Sequence, residues 1–266
     1  MGQDDAAPLA FDRAGPPGDS PVVLVHAGIA DRRMWDPQWE ALTGSHDMVR
    51  VDLRGYGDST TPPAGAVSHV ADLAATLDAL EIVRCHLVGA SLGSGVAVEL
   101  ALTRPDLVGS LLLAPPGGSL LVELTQDLRD FIDAENAALD RDDLDAAVDA
   151  NVSTWVVGTG RAEADVGPDV LERVRLMQRH AFEVQLAWGD VGEAELDPPA
   201  HERLGQVAVP TLVLVGGHDL ATTKEAARRV SGSIAGSRLV EWPGVAHLPS
   251  MERPHDFSAL LQEWIP

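Results

Sequence analysis

Lysine is nearly missing from this 266-residue chain: Lys224 stands alone, and arginine supplies the rest of the 19 basic residues. Against 41 acidic residues this leaves a formal net charge of −22 at pH 7. A field of that sign repels nucleic acid and anionic membrane surfaces, so neither is expected as a partner. The acidic balance reads first as a solubility device; adaptation to high salt, or discrimination against anionic substrates, is the second reading. Cysteine is equally scarce. Cys85 alone excludes an internal disulfide and a Cys-based zinc site; it is expected to be a small buried core residue. No uncharged apolar run reaches the roughly 18 residues of a membrane span. The stretch Met1–Pro8 has neither a basic start nor an apolar core, and Gly2 lacks the downstream Ser or Thr of a myristoylation signal. A cytoplasmic location is therefore expected. There is no internal repeat and no low-complexity tract. No two histidines stand four apart around a Glu, so no metal is expected. Gly93-Ser94-Gly95 lacks the Lys-Ser/Thr of a phosphate-binding loop, and no cofactor is expected.

What is present is an alternation of strand and helix patterns, the mark of an α/β chain with a mainly parallel sheet covered on both faces. Val22–Val25 is a continuous apolar run, as a strand buried on both faces requires. Further strands are expected over Met48–Leu53, Ile82–Val88, Gly109–Leu113, Pro210–Val215 and Arg238–Trp242. Helices are expected near Val67–Leu80, Leu92–Leu102, Thr222–Val230 and Arg253–Trp264. Between about Ser119 and Arg203 the rhythm changes. Leu120, Leu121, Leu124, Leu128, Phe131 and Ile132 form one helical stripe, and Val170, Leu171, Val174, Met177, Ala181 and Val184 form another. The expected organisation is a core over residues 1–118, a helical insertion over 119–203 and the rest of the core over 204–266.

The most informative segment is Gly89-Ala90-Ser91-Leu92-Gly93, set between a strand pattern and a helix pattern. G-x-S-x-G in that setting is a nucleophile elbow, a turn so tight that the serine hydroxyl projects from the sheet edge. Small neighbours are needed because strand and helix nearly touch. A serine hydroxyl is a poor nucleophile at neutral pH and needs a base oriented by a carboxylate. In this architecture the acid and then the base follow the serine in the chain. Asp219, just past the strand in Leu214-Val215-Gly216-Gly217-His218-Asp219, is the candidate acid; Asp197 is a weaker rival inside the insertion. His247, in Pro243-Gly244-Val245-Ala246-His247, is the candidate base. His255 falls inside the last helix and is expected to face solvent. An oxyanion hole needs two N–H donors. Leu92, directly after the serine, offers one, and Gly28 in His26-Ala27-Gly28-Ile29 the other, with Ile29 as the alternative. His26 is expected to brace that loop, and His46, His69, His180 and His201 to be surface or packing residues.

The elbow, Asp219, His247 and the His26-Ala27-Gly28 loop together resemble the α/β-hydrolase fold family. Val51-Asp52-Leu53-Arg54-Gly55-Tyr56-Gly57-Asp58-Ser59 and Met251-Glu252-Arg253-Pro254 match it as well. Asp31–Gln38 is similar to the corresponding stretch of 3-oxoadipate enol-lactonase-like hydrolases, a group close to the carboxylesterases. One departure is Ala27, where the family usually has Gly. The resemblance implies an α/β-hydrolase fold with a helical cap inserted after the sixth strand and placed over Ser91. It implies a serine hydrolase acting on a small-molecule ester or lactone through an acyl-enzyme. Trp155, Trp188, Phe131, Met177 and Leu186 are the candidate substrate contacts, with packing as the rival role of each. Trp35 is expected to anchor its helix. A lactone bearing a carboxylate would want an arginine, and Arg129, Arg161 and Arg175 are available, each with a surface reading. Carbon–carbon bond hydrolysis, peracid formation and hydroxynitrile cleavage use the same triad; a non-catalytic small-ligand receptor is a rival of another class. Monomer and homodimer are both compatible with the sequence.

Overall fold

The computed structural model describes residues 6–265, so the reading of Met1–Asp5 as neither signal nor lipid-attachment site lies outside the described residues. In chain order the elements are β1 (Phe11–Ala14), β2 (Val22–Val25), α1 (Asp36–Leu42), β3 (Met48–Val51), α2 (His69–Ala79), β4 (Cys85–Ser91), α3 (Leu92–Thr103) and β5 (Val108–Pro116). Then come α4 (Gln126–Leu139), α5 (Leu144–Asn151), α6 (Pro168–Trp188), β6 (Thr211–Gly216), α7 (Ala221–Ser233), β7 (Arg238–Trp242), α8 (Pro249–Glu252) and α9 (Pro254–Trp264). The seven strands form one sheet in the order β1-β3-β2-β4-β5-β6-β7. Only β1, against β3, is antiparallel.

The unbroken apolar strands follow from burial on both faces. Successive side chains of a strand point to opposite sides. Val23 and Val25 of β2 join Leu73, Leu77, Val96 and Leu100 from α2 and α3 in one core. Val22 and Leu24 join Trp35, Leu42, Phe257 and Leu261 in the other, beneath α1 and α9. Trp35 is fully buried and stacks on Phe257, so it anchors its helix as expected. Cys85 is buried in β4, and its thiol is pushed up to about 12 by that burial.

Two expectations are corrected. The strand read as Ile82–Val88 is Cys85–Ser91. Ile82 instead closes α2, its N–H donating to Leu77 O at 3.0 Å, and Val83 is 77% exposed. The helical insertion follows the fifth strand among the described residues, not the sixth, because a single four-residue strand, β1, precedes Val22. Helices α4, α5 and α6 occupy that insertion, with a π-helical turn over Val152–Val157 after α5. Its return segment pairs with the core through a parallel bridge between Glu193 and Val67. No helix among the described residues is long and apolar enough to cross a membrane.

Candidate active site

Ser91 is the last residue of β4 and the residue from which α3 starts. Its backbone has φ +52° and ψ −114°, a conformation that costs a non-glycine residue about 1–3 kcal/mol and persists only where the surroundings enforce it. The enforcement is visible. A Cβ on Gly89 would collide with the Gly93 carbonyl, and one on Gly93 with the Val25 carbonyl. Ser94 then pins the turn, its one hydroxyl proton shared between Gly89 O and Pro115 O, both 2.7 Å from its oxygen. The Gly93 N–H donates to His26 O at 3.1 Å, fastening the start of α3 to the loop after β2. Ser91 itself is half-buried, and its hydroxyl makes no hydrogen bond among the described residues.

That fastening sets Gly28 beside Leu92: a Cβ on Gly28 would lie 3.6 Å from the Leu92 Cβ and 3.5 Å from the Tyr56 hydroxyl. As the first residue of α3, Leu92 has no carbonyl within the helix for its N–H to reach. His26 holds the loop from below. Its Nε2 accepts the Leu53 N–H at 2.9 Å, and its Nδ1 faces Ala27 O at 2.8 Å. This pairing assigns a neutral ring with the proton on Nδ1, and burial pushes the imidazole pKa down. His26 is thus a brace.

Asp219 and His247 are brought together from the loops after β6 and β7. Asp219 Oδ1 accepts from His247 Nδ1 at 2.7 Å, and both side chains are buried. The Leu220 N–H donates to the same oxygen at 3.1 Å, while Oδ2 is buried with no partner among the described residues. The hydrogen bond leaves Nε2 of His247 as the free ring nitrogen. Leu220 is the capping position of α7, and Asp219 faces the imidazole. Asp197 is exposed and His255 faces solvent.

The insertion closes on this pair through Trp155. Its ring packs against the His247 imidazole with centroids 4.5 Å apart, and its carbonyl accepts the His247 N–H at 3.2 Å. Phe131 of α4 meets Trp155 edge-on at 5.3 Å. The other sequence candidates do not converge here. Met177 is buried among the packed helices, Leu186 is 54% exposed, and Trp188 packs over Gly55. Arg129 is exposed and Arg175 pairs with Asp149 and Glu163, as surface readings require. Arg161 corrects its surface reading. It is buried, donates to Val156 O and Val157 O at 2.8 and 2.7 Å, and pairs with Glu252 at 2.6 Å. Glu252 in turn accepts the Ala246 N–H at 2.7 Å. One buried ion pair thereby links the insertion to the loop that carries His247.

Sequence reasoning missed four contributors. Gly117 is a small-residue requirement, since a Cβ there would lie 2.7 Å from the Ser91 hydroxyl; the run Pro115-Pro116-Gly117-Gly118 signalled only a chain break. Ser94 entered the sequence reading only through the rejected phosphate-loop match, with no structural role. Tyr56 is buried beside Gly28, meets His26 edge-on with centroids 5.0 Å apart, and has its phenol pKa raised by burial. The Arg161–Glu252 pair spans 91 residues of chain and has no local signal.

Comparisons with known proteins agree with this architecture. The model of the alpha/beta hydrolase family matches residues 22–260. A pimeloyl-acyl-carrier-protein methyl ester esterase of Neisseria meningitidis is 26% identical over 92% of each chain. Among solved structures, a thermophilic esterase from Thermogutta terrifontis superposes with a TM-score of 0.79 at 27% identity, covering 96% of this chain and 92% of its own. The enol-lactonase of Burkholderia xenovorans LB400 superposes with a TM-score of 0.76 at 25% identity, covering 96% of this chain and 95% of its own.

Proposed function

The chain belongs to the alpha/beta hydrolase family, and from that premise we propose that it is a serine hydrolase of small carboxylic esters or lactones, with Ser91, His247 and Asp219 as its triad. The observation that carries this reading is the buried 2.7 Å hydrogen bond between Asp219 and His247 Nδ1, on the sheet edge where Ser91 is held in its strained turn. An imidazole oriented this way presents Nε2 as a base. His247 Nε2 takes the Ser91 proton as the hydroxyl oxygen attacks the ester carbonyl, and Asp219 stabilises the resulting imidazolium. The N–H groups of Leu92 and Gly28 receive the oxyanion, each worth about 3 kcal/mol of transition-state stabilisation. His247 then gives its proton to the leaving alkoxide. Water repeats the sequence on the acyl-enzyme and frees the acid. Catalytic hydrogen bonds are often open in a resting enzyme and tighten on substrate binding, which accommodates the unbonded Ser91 hydroxyl. The insertion acts as a cap, with Trp155 and Phe131 as the substrate-facing wall above His247. The relatives described as esterases and as an enol-lactonase support ester and lactone chemistry.

The test is hydrolysis of p-nitrophenyl acetate by Ser91→Ala. Turnover is expected to fall by about 10⁴-fold or more, with the circular dichroism spectrum and Tm unchanged. Turnover at the parent rate by the folded variant would overturn the mechanism.

A further inference from the structure

The cavity that opens at Leu92, the residue after Ser91, is acidic. It encloses about 340 Å³ and touches Leu92 and Gly118, the chain neighbours of Ser91 and Gly117. From Leu92 it follows one face of α3 through Val96 to Glu99, two helical turns away. Glu193 and Glu195, from the return segment of the insertion, line its opposite side, with His69 and His201 between. No arginine or lysine lines it among the described residues.

Two largely buried polar side chains line it. Glu99 is only 8% exposed, yet no cation pairs with its carboxylate among the described residues; its polar neighbours are Ser119 and His69. His69 is 7% exposed, and its Nδ1 has no hydrogen-bond partner among the described residues, while Nε2 lies 3.6 Å from Glu193. A carboxylate so placed is complemented by a positively charged donor arriving from outside the chain. Three carboxylates without a guanidinium equally reject a carboxylated substrate. Packing needs alone do not call for a glutamate at a helix position whose neighbours are Val96 and Val98.

Resting on the reading of Ser91 as nucleophile, we propose that this cavity is a substrate subsite for an ammonium group, with Glu99 as its counter-ion and Glu193 and Glu195 at its rim. The physiological substrate is then an ester or lactone carrying an amine a few bonds from the scissile carbonyl, not a carboxylated lactone. Burial raises the Glu99 pKa, and an ammonium bound beside it would favour the ionised carboxyl.

The test uses isosteric p-nitrophenyl and butyrate esters ending in dimethylammonium, isopropyl or carboxylate. The end group is carried on the acyl chain in one set and on the alcohol in the other. Rates are read at about 0.5 M salt, where the general field of the acidic surface is screened within several ångströms. In at least one set the dimethylammonium ester is expected to exceed the isopropyl ester in kcat/KM by about tenfold, and the carboxylate ester by more. In Glu99→Gln the ratio of the ammonium to the isopropyl ester should fall below about twofold. Glu193→Gln and Glu195→Gln, at exposed positions, should each reduce it partly, and they carry the test if Glu99→Gln does not fold. No ammonium preference in either set, or a preference unchanged in these variants, overturns the proposal. Calorimetric titration of 3-(dimethylamino)propan-1-ol alone into parent and Glu99→Gln reads the subsite without catalysis. Binding lost in Glu99→Gln supports the subsite even if Ser91→Ala still hydrolyses esters, a result that would remove only the nucleophile assignment.

Discussion

Ser91 has a positive φ because the atoms around it leave no alternative, and the same crowding makes its neighbours sensitive to a single methyl group. Gly117 is the sharpest case. Alanine there would set its Cβ 2.7 Å from the Ser91 hydroxyl and 2.8 Å from the Ser91 Cα. Gly117→Ala is therefore expected to cut kcat by about a hundredfold through displacement of the hydroxyl, with the Tm lowered only modestly. Steady-state kinetics beside a melting curve checks this, and a variant with parent kcat would show that the hydroxyl is not held where the turn places it. Glu99 carries a prediction of stability. Its folded pKa lies above the ordinary value of 4.5 because burial penalises the charged form. The contribution to stability is thus fully present below pH 4.5 and is lost as pH rises through the raised folded value. Glu99→Gln should remove that decline, giving a higher Tm than the parent at pH 8 and a smaller difference at pH 4.5. A parent that melts above the variant at pH 8 would contradict the assignment of an uncompensated buried carboxyl.

Among the elements, the contact between insertion and core decides whether His247 is held in place. Trp155 packs on the imidazole, and Arg161 reaches across to Glu252, which holds the Ala246 N–H. Breaking a buried ion pair from one side leaves an unpaired charge and costs about 3–5 kcal/mol. Arg161→Ala should therefore lose stability of that order in urea unfolding and lower kcat, because the loop bearing His247 loosens. A variant of parent stability would mean that the pair contributes nothing to docking the insertion. These long-range ties mark the limit of what the sequence disclosed. The elbow, Asp219 and His247 were legible because each sits in a local pattern of strand, glycine and turn that chemistry requires. The insertion was legible as a loss of strand rhythm. The start of β4 was misread because Ile82 and Val83 extend an apolar run that the backbone does not continue as strand. Met177 and Leu186 were candidate contacts as apolar residues of the insertion, which says nothing of what each side chain meets. Arg161 and the acidic cavity are assembled from segments far apart in the chain, and no local spacing encodes them.

At the scale of the whole molecule, a net charge of −22 acts on any ion that approaches. Added salt shortens the reach of that field to about 8 Å at 0.15 M. The kcat/KM of an anionic ester should rise with salt and that of a cationic ester fall, while a neutral ester changes little; equal salt responses would mean that the surface charge does not reach the site. The same screening relieves self-repulsion, so the Tm should climb with moderate salt. All of this concerns how substrate arrives, and the chemistry still turns on one hydroxyl. Treatment of the folded protein with a fluorophosphonate, followed by peptide mapping, asks whether that oxygen is reactive. A single adduct on Ser91, formed at least about a thousandfold more slowly in His247→Gln and in Asp219→Asn, is the expected result. Folded parent protein that takes no label, or takes it on another residue, would contradict the triad.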